Sequence, residues 1–361
     1  MNPLHLSGWG VKLLVQDLKS HSGLEITDGR EDNKKESVHR FRPRRFPYSS
    51  IIIDGHSGYV SLQAFHWLSR NKVPVFILDY DGSMMSSILP PMPVKADLRV
   101  AQIHASEDPE KRFRIAHELV KAKIQRSLDV LHWLRERYDI EDKTGKTERE
   151  ALALSKATSV NGLRMVEGRV AEQYWRAIQA VLPECFCFES RLIRSGRANN
   201  ASDPVNLALN YGYGVLEGEV RRAINTVGLE PSIGFLHEST GSQTRQSLVY
   251  DLQEPYRWLV EVCVIKAFES GALDLPDFYF TGDDYRYHID IEAKHRFMNL
   301  LQQRFNAGVR CNGRVLKWDT VIELKTMELA RYLTGRSRLP ELYEPRAKLD
   351  IGSAAAAAVF A

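Results

Sequence analysis

The sequence predicts an α+β protein, a β-rich N-terminal domain followed by an all-α C-terminal catalytic domain. Three observations carry that expectation. Over the first stretch of about 90 residues the apolar positions alternate with a period of two, in short runs bounded by Gly, Asp and Ser. Pro90-Pro91-Met92-Pro93 then ends the strand pattern and suits a stiff linker. From Asp97 onward the apolar period is near 3.6, that of helices. A length of 361 residues suits two domains. Their expected limits are 1–93 for the β-rich part and 94–340 for the helical part, with a tail at 341–361.

In the first part, Leu4-His5-Leu6-Ser7 and Val11-Lys12-Leu13-Leu14-Val15 read as strands around Gly8-Trp9-Gly10, a hairpin-like turn. Gly23 to Ile26 is a further strand, and residues 28 to 37 form a charged loop. Arg40-Phe41-Arg42-Pro43-Arg44-Arg45 places four arginines in six positions. They suit phosphates or, equally, a solvated edge-strand face. Ile51-Ile52-Ile53 is a buried strand. Asp54-Gly55-His56-Ser57-Gly58 follows where a phosphate loop would stand, but it lacks the Lys-Ser/Thr and GxGxxG spacings. It reads as a turn with Ser57 near the cap of a helix over 59–71. Val73 to Asp79 and Met84 to Leu89 pair across Asp81-Gly82, a hairpin turn.

In the second part, a helix starts over Asp97 to His104. Asp108 caps Pro109 and opens a long helix to about Tyr138, with Phe113, Ala116, Leu119, Val120, Ile124, Leu128, Leu131 and Leu134 in one stripe. Lys121, Lys123 and Arg126 lie mostly off that stripe and read as a solvated face. Helices follow over 147–157 and 159–181. Glu167 sits on the second, where a lone Glu is surface by default. Cys185 to Asp203 is an irregular link carrying Arg191, Arg194 and Arg197. Asp203-Pro204 opens a helix that Gly228 closes. On it Asn206, Asn210, Tyr213 and Glu217 fall at steps of 4, 3 and 4, so they share a face, either solvated or lining a polar site. Pro255 cannot sit deep in a helix. The next helix is therefore expected to start near it, with Asp251 and Glu254 at or just before its first turn, and to reach Gly271. Helices over 291–307 and 317–334 complete the pattern.

Composition narrows the class. Hydrophobic content of 43% and charged content of 26% are those of an ordinary soluble protein. A net charge of +3 is too small by itself to imply a nucleic-acid partner. Of four cysteines none forms a CxxC pair, and Cys185-x-Cys187 alternates within an apolar segment, which reads as buried thiols. That usage suits the cytosol. No charged-then-apolar leader is legible at the N-terminus, and no apolar run approaches the roughly 20 residues of a membrane span. The alanine-rich end after Gly352-Ser353 is set aside as foreign to the fold.

The chemistry concentrates in one stretch. His237, Asp251 and Glu254 lie within 17 residues, with a helical Glu upstream. Carboxylates with one neutral imidazole suit Mg²⁺ or Mn²⁺, and the imidazole favours Mn²⁺. A metal held so polarises a phosphoryl oxygen and readies an oxygen nucleophile. The alternative is that His237 is a satisfied core histidine after Ile233-Gly234-Phe235-Leu236.

Several ordered blocks also carry a resemblance. Asp203-Pro204-Val205-Asn206, Asn210-Tyr211-Gly212-Tyr213, Gly228-Leu229-Glu230-Pro231, Gly234-Phe235-Leu236-His237 and Ser247 to Pro255 resemble the CRISPR adaptation integrases, the Cas1 family. Arg99-x-x-Gln102, Ala122-Lys123-Ile124 and Glu167-Gly168 fit as well, so the resemblance spans about 1–335. It implies a metal-dependent DNA endonuclease and integrase that joins the 3′-hydroxyl ends of a foreign fragment to the CRISPR array. It implies Glu167, His237 and Glu254 as metal ligands and catalytic residues, with Asp251 assisting. Tyr213 matches a tyrosine near the site, and Arg191, Arg194 and Arg197 lie in a segment expected near DNA. The family forms homodimers through the β-rich domain and works with a small partner, Cas2. Gln253 departs from the pattern, standing where an apolar residue is common. A metal-dependent nuclease without integration and a non-catalytic DNA-binding scaffold are the competing readings. Keeping Glu167, His237 and Glu254 together argues against the scaffold.

Overall fold

The computed structural model describes residues 3–18, 21–29, 37–55, 57–91, 93, 95–138, 144–188, 191, 203–237, 246–281 and 286–343. Strands come first: β1 (Leu4–Gly8), β2 (Val11–Leu18), β3 (His21–Thr27), β4 (Val38–Phe41), β5 (Ile51–Gly55), β6 (Gly58–Val60), then α1 (Leu62–Arg70), β7 (Val75–Leu78) and β8 (Met84–Ile88). They make two four-stranded sheets, ordered β1-β5-β7-β8 and β4-β3-β2-β6. β1, β5 and β7 run parallel, and β8 returns antiparallel. The inner faces of both sheets and α1 share a core of Leu6, Leu13, Ile26, Ile51, Val75 and Leu68.

The hairpin expected at Gly8-Trp9-Gly10 does not form. β1 pairs with β5, whereas β2 pairs with β3 and β6. Gly8 and Gly10 both take φ of +83°, and this bend carries the chain from one sheet into the other. Burying Leu6 and Leu13 on facing sheets removes more apolar surface from water than an isolated two-stranded ribbon could. The helix expected over 59–71 starts later, because Gly58–Val60 is used as a strand beside β2. Its cap is Ser61, whose hydroxyl accepts the Ala64 N–H at 3.1 Å. Ser57 instead accepts from the Gly10 N–H.

The helices are α2 (Ala96–Glu107), α3 (Pro109–Tyr138), α4 (Thr144–Leu152), α5 (Val160–Val181), α6 (Pro204–Val227), α7 (Ser247–Gln253), α8 (Arg257–Glu269), α9 (Ile291–Asn306) and α10 (Trp318–Leu333). Two small hairpins, β9 (Phe278–Thr281) with β10 (Arg286–Ile289) and β11 (Val309–Cys311) with β12 (Arg314–Leu316), lie between the last helices. The helical expectation near Pro255 needs correcting. Asp251 lies inside α7, and Glu254–Tyr256 is one 3₁₀ turn between α7 and α8. Proline falls in the first turn of that segment, where its missing N–H leaves no bond unmade, so the chain continues helically through it. Cys185 and Cys187 are exposed, not buried. The alternation is real but its phase is opposite: Phe186 and Phe188 are the buried members.

α6 is the organising helix. Asp203 accepts the Asn206 N–H at 2.8 Å, Pro204 opens the first turn, and Gly228 closes the last. Nearly all of it is buried, including Asn206, Asn210, Tyr213 and Glu217. The β7–β8 turn docks on it, with the Gly82 backbone against Tyr211 and Gly214 so closely that a β-carbon on either glycine would overlap the other chain segment. Ile52, Phe76 and Leu78 thereby join the core of the helices. A further tie is the buried pair Asp54–Lys294, 2.8 Å apart, between β5 and α9. No helix among the described residues is long and apolar enough to cross a membrane.

Candidate active site

The segment Glu230 to His237 has little regular structure and is held from outside. Gln102 of α2, fully buried, donates to the carbonyls of Glu230 at 2.9 Å and Ile233 at 2.8 Å and accepts the Glu230 N–H. Arg112 donates to the Phe235 carbonyl at 3.0 Å, and Arg164 donates to that of Leu236. Phe235 and Leu236 are fully buried anchors. Underneath lies Asp251, with no exposed surface. Its carboxylate accepts the backbone N–H groups of Phe235, Leu236 and His237 at 2.5, 2.9 and 2.9 Å. It also accepts from His237 Nδ1 at 2.7 Å. An Nδ1–H donated to a carboxylate leaves Nε2 as the basic nitrogen, the arrangement that orients a metal-ligating imidazole.

The two glutamates come from different helices and meet on one cation. Lys123 of α3 places its Nζ 2.7 Å from Glu254 Oε2 and also pairs with Glu167 of α5. Arg257 approaches the other Glu254 oxygen at 3.4 Å. Burial pushes the Glu254 carboxyl up, but Lys123 and then Arg257 outweigh it, with a smaller pull from His237, and hold it at about 2. Burial likewise pushes Lys123 down, yet Glu254 and Glu167 leave it above its ordinary value. Both members are therefore ionised.

Glu167, Glu254 and Lys123 line a cleft of about 260 Å³ whose other walls include Arg164, Arg191 and Arg257. A polar network supports it. Glu261 accepts from the Tyr213 hydroxyl at 2.7 Å and from that of Tyr174. Burial first, and the Glu261 charge second, push Tyr213 up, so it stays a phenol. The Arg257 and Arg191 guanidiniums lie 4.1 and 5.2 Å from the Tyr213 ring centre. Tyr213 is 7% exposed and does not line the cleft itself; its ring supports two cations that do.

The structure thus gathers Glu167, Glu254 and Arg191 around one cleft, with Tyr213 behind its wall under Arg191 and Arg257. His237 lies outside its wall but within electrostatic reach of Glu254. Asp251 is committed to orienting His237. Arg194 and Arg197 lie outside the described residues, as do His56 and most of the 238–246 loop. Lys123, expected on a solvated face, is the main correction. It stands four residues from both Leu119 and Ser127, both buried, so helical spacing put it on a buried row. Arg126 is buried too, 4.9 Å from the Trp258 ring centre. Glu261 was also missed; a lone acid in the apolar run from Trp258 to Phe268 was its signal.

Among the described residues no three His, Cys, Asp or Glu side chains stand together ready to hold an ion. The donor set nevertheless fits a hard divalent metal. Two carboxylates from separate helices converge on one positive charge, and one imidazole has its tautomer set by Asp251.

Comparison with known proteins identifies the family and the fold. The family model for CRISPR associated protein Cas1 matches residues 24–303. A CRISPR-associated endonuclease Cas1 of Archaeoglobus fulgidus is 27% identical over 345 residues, covering 91% of this chain and 98% of its own length. One from Methanopyrus kandleri is 33% identical over 253 residues, 67% of this chain and 74% of its own. The structure of a casposase bound to integration product superposes with a TM-score of 0.89 at 35% identity, covering 98% of this chain and 97% of that one. A Cas1 protein from Thermotoga maritima shares the fold, with a TM-score of 0.73 at 19% identity, over 93% of this chain and 98% of its own.

Proposed function

This chain belongs to the CRISPR-associated Cas1 family, and we propose that it is the divalent-metal-dependent DNA integrase and endonuclease of CRISPR adaptation. It inserts foreign DNA fragments into the CRISPR array by attack of a 3′-hydroxyl on a phosphodiester. The observation that carries this reading is the convergence of Glu167 and Glu254 on one cation in an arginine-walled cleft.

Glu167, Glu254 and His237 Nε2 would hold Mn²⁺ or Mg²⁺. When bound, that ion supplies charge neutralisation at the phosphate and a more acidic attacking hydroxyl. Asp251 keeps the His237 ring in one tautomer and orientation. Arg191 and Arg257, stacked on Tyr213, sit where a phosphodiester entering the cleft meets fixed positive charge. Glu261, held by two tyrosyl hydroxyls, offsets the charge of those guanidiniums when no DNA is present. In the reaction one P–O bond forms to the incoming 3′-oxygen and one breaks to the target strand, which leaves as a 3′-hydroxyl. The proton lost by the attacker is regained by the leaving oxygen, so no protein nucleophile is consumed. Water in place of the 3′-hydroxyl gives hydrolysis at the same site. The division into 1–93 and 94–340 assigns dimerisation to the β-rich part, where Trp9, Tyr59 and Leu62 are exposed. A Cas2 partner and a cytoplasmic setting complete the proposal.

A second reading, DNA integration outside CRISPR adaptation, is favoured by the 35% identity to the casposase over 98% of the chain. One strand-transfer assay separates the readings. A labelled duplex with free 3′-hydroxyls is mixed with supercoiled plasmid with or without a CRISPR repeat, with or without Cas2, in Mn²⁺ or Mg²⁺. Repeat-directed joining that is lost in Glu167→Ala and His237→Ala supports adaptation. Joining indifferent to both repeat and Cas2 supports the second reading. Cleavage alone, with Cas2 present, supports a nuclease.

A further inference from the structure

The divalent ion of the proposed function has a rival inside the protein. Lys123 Nζ pairs with Glu254, at 2.7 Å, and with Glu167, and these are the two carboxylates assigned to the metal. A lysine ammonium is a compact point charge on a flexible four-carbon stem. The Lys123 side chain is 22% exposed and lines the active-site cleft, so its charged end borders the space a substrate enters. Arg257, the second cation on Glu254, is placed differently. Its guanidinium stands farther from the carboxylate, at 3.4 Å, and is stacked 4.1 Å from the Tyr213 ring centre. Of the two cations on Glu254 the lysine is therefore the one free to swing away.

The charge of the cleft points the same way. Among the described residues five lysine and arginine side chains and three glutamates line it, an excess of two positive charges. A divalent ion added to that set doubles the excess, beside a Glu254 that is 5% exposed and poorly screened by water. An ion and an ammonium on the same two carboxylates stand only a few Å apart and repel each other. A phosphodiester entering the cleft removes both obstacles. It brings negative charge, and it offers the Lys123 ammonium an oxyanion partner along the wall that the lysine already lines.

We propose that Lys123 is an electrostatic lock on the metal site: its ammonium competes with the divalent ion for Glu167 and Glu254, and a nucleic-acid phosphate in the cleft draws it off, so that metal and DNA bind with positive cooperativity. Such coupling is reciprocal, and the factor by which duplex tightens the metal is the factor by which the metal tightens duplex. The lock keeps the hydrolytic centre unassembled until a strand is in the cleft. This inference deepens the proposed metal-dependent DNA function and rests on it.

The test uses the full chain and three variants: Lys123→Gln, which removes the charge; Lys123→Arg, which keeps it on a stiffer group; and Lys121→Gln as a control. Lys121 is on the same helix but pairs with Glu118 and does not line the cleft. Mn²⁺ binding is followed by the paramagnetic resonance signal of the free ion, with and without a duplex blocked at its 3′ ends, and with that duplex alone as the blank. Without duplex, Lys123→Gln is expected to bind Mn²⁺ on the order of tenfold more tightly than wild type, and Lys123→Arg more weakly. With duplex, wild type is expected to tighten on the order of tenfold, and most of that factor to be absent in Lys123→Gln. Lys121→Gln should follow wild type throughout. Loss of packing alone would weaken the ion in Lys123→Gln, the opposite sign. A folded Lys123→Gln that binds Mn²⁺ no more tightly than wild type would overturn the lock; should that variant not fold, Lys123→Arg binding Mn²⁺ as tightly as wild type would do the same. Full coupling retained in Lys123→Gln would assign the cooperativity to phosphate ligating the ion and overturn the part given to the lysine. Wild type that binds duplex, yet holds Mn²⁺ equally with and without it, would overturn the coupling. Failure of the underlying function looks different. No Mn²⁺ on any of the proteins would remove the metal centre and the lock with it, whereas Mn²⁺ binding without duplex binding would remove the DNA function while the variants still decide the competition.

Discussion

Lys123 Nζ lies 2.7 Å from Glu254 and also pairs with Glu167, so one ammonium closes two carboxylates that belong to different helices. Glu254 is 5% exposed and cannot regain the lost charge interaction from water. Breaking one side of a buried pair is costly because the other charge stays buried. Lys123→Met is therefore expected to destabilise the metal-free protein by about 3–5 kcal/mol. Urea unfolding in chelator measures this, and added Mn²⁺ should restore more stability to the variant than to wild type.

Asp251 accepts three backbone N–H groups and the His237 ring. An amide in its place keeps only one oxygen acceptor and adds a donor facing donors. Asp251→Asn is expected to cost about 3 kcal/mol or more of stability and to reduce strand transfer strongly. Thermal unfolding and the strand-transfer assay read the two effects separately. A variant with wild-type joining would show that His237 needs no carboxylate behind it.

The Gly82–Gly214 approach leaves no room for a β-carbon. Gly214→Ala favours the helix locally, by about 1 kcal/mol, but must push the β7–β8 turn off α6. A net destabilisation of about 2–3 kcal/mol is expected by urea unfolding, as for overpacking of a tight core. A stabilised variant would mean that the turn yields easily and does not fix the sheets on the helices.

Burial raises the Asp54 carboxyl to about 6, from 3.8, against the opposing pull of Lys294. A carboxyl raised on folding binds its proton more tightly in the folded chain. Its contribution is fully present below about 3.8 and is lost as pH rises through about 6. The loss is on the order of 3 kcal/mol across that window. Asp54→Asn should remove this slope between pH 4 and 6, and lower stability where Asp54 is ionised in the wild type, above about 6, since Lys294 then stays buried without its charged partner. Denaturant midpoints measured across the acid range test both parts.

Much of the helical half was legible locally. Asp203, Pro204 and Gly228 mark the ends of α6 by capping chemistry that depends on adjacent residues alone, and the structure uses all three. Asp81-Gly82 forms its hairpin for the same reason. The acids and the histidine of the site were legible as residue types, though not as a geometry. Where expectations failed, the missing information was a neighbour distant in the chain. Ser57 and Ser61 are both plausible caps until the pairing of β6 with β2 is known. Cys185 and Cys187 alternate correctly, but period alone does not say which phase faces inward.

By itself, then, the sequence determined the α+β order of elements, the helix ends, and the residue types that can handle a phosphodiester and a divalent ion. Those follow from periodicity, capping and side-chain chemistry, which act over a few residues. Only the tertiary structure decided that Lys123 meets Glu254 from 131 positions away, that Tyr213 lies beneath Arg191 and Arg257, and that β1 and β2 part into different sheets. Burial is a property of the packed whole: a charge becomes part of a site when distant helices shut it from water and leave it only one another to pair with.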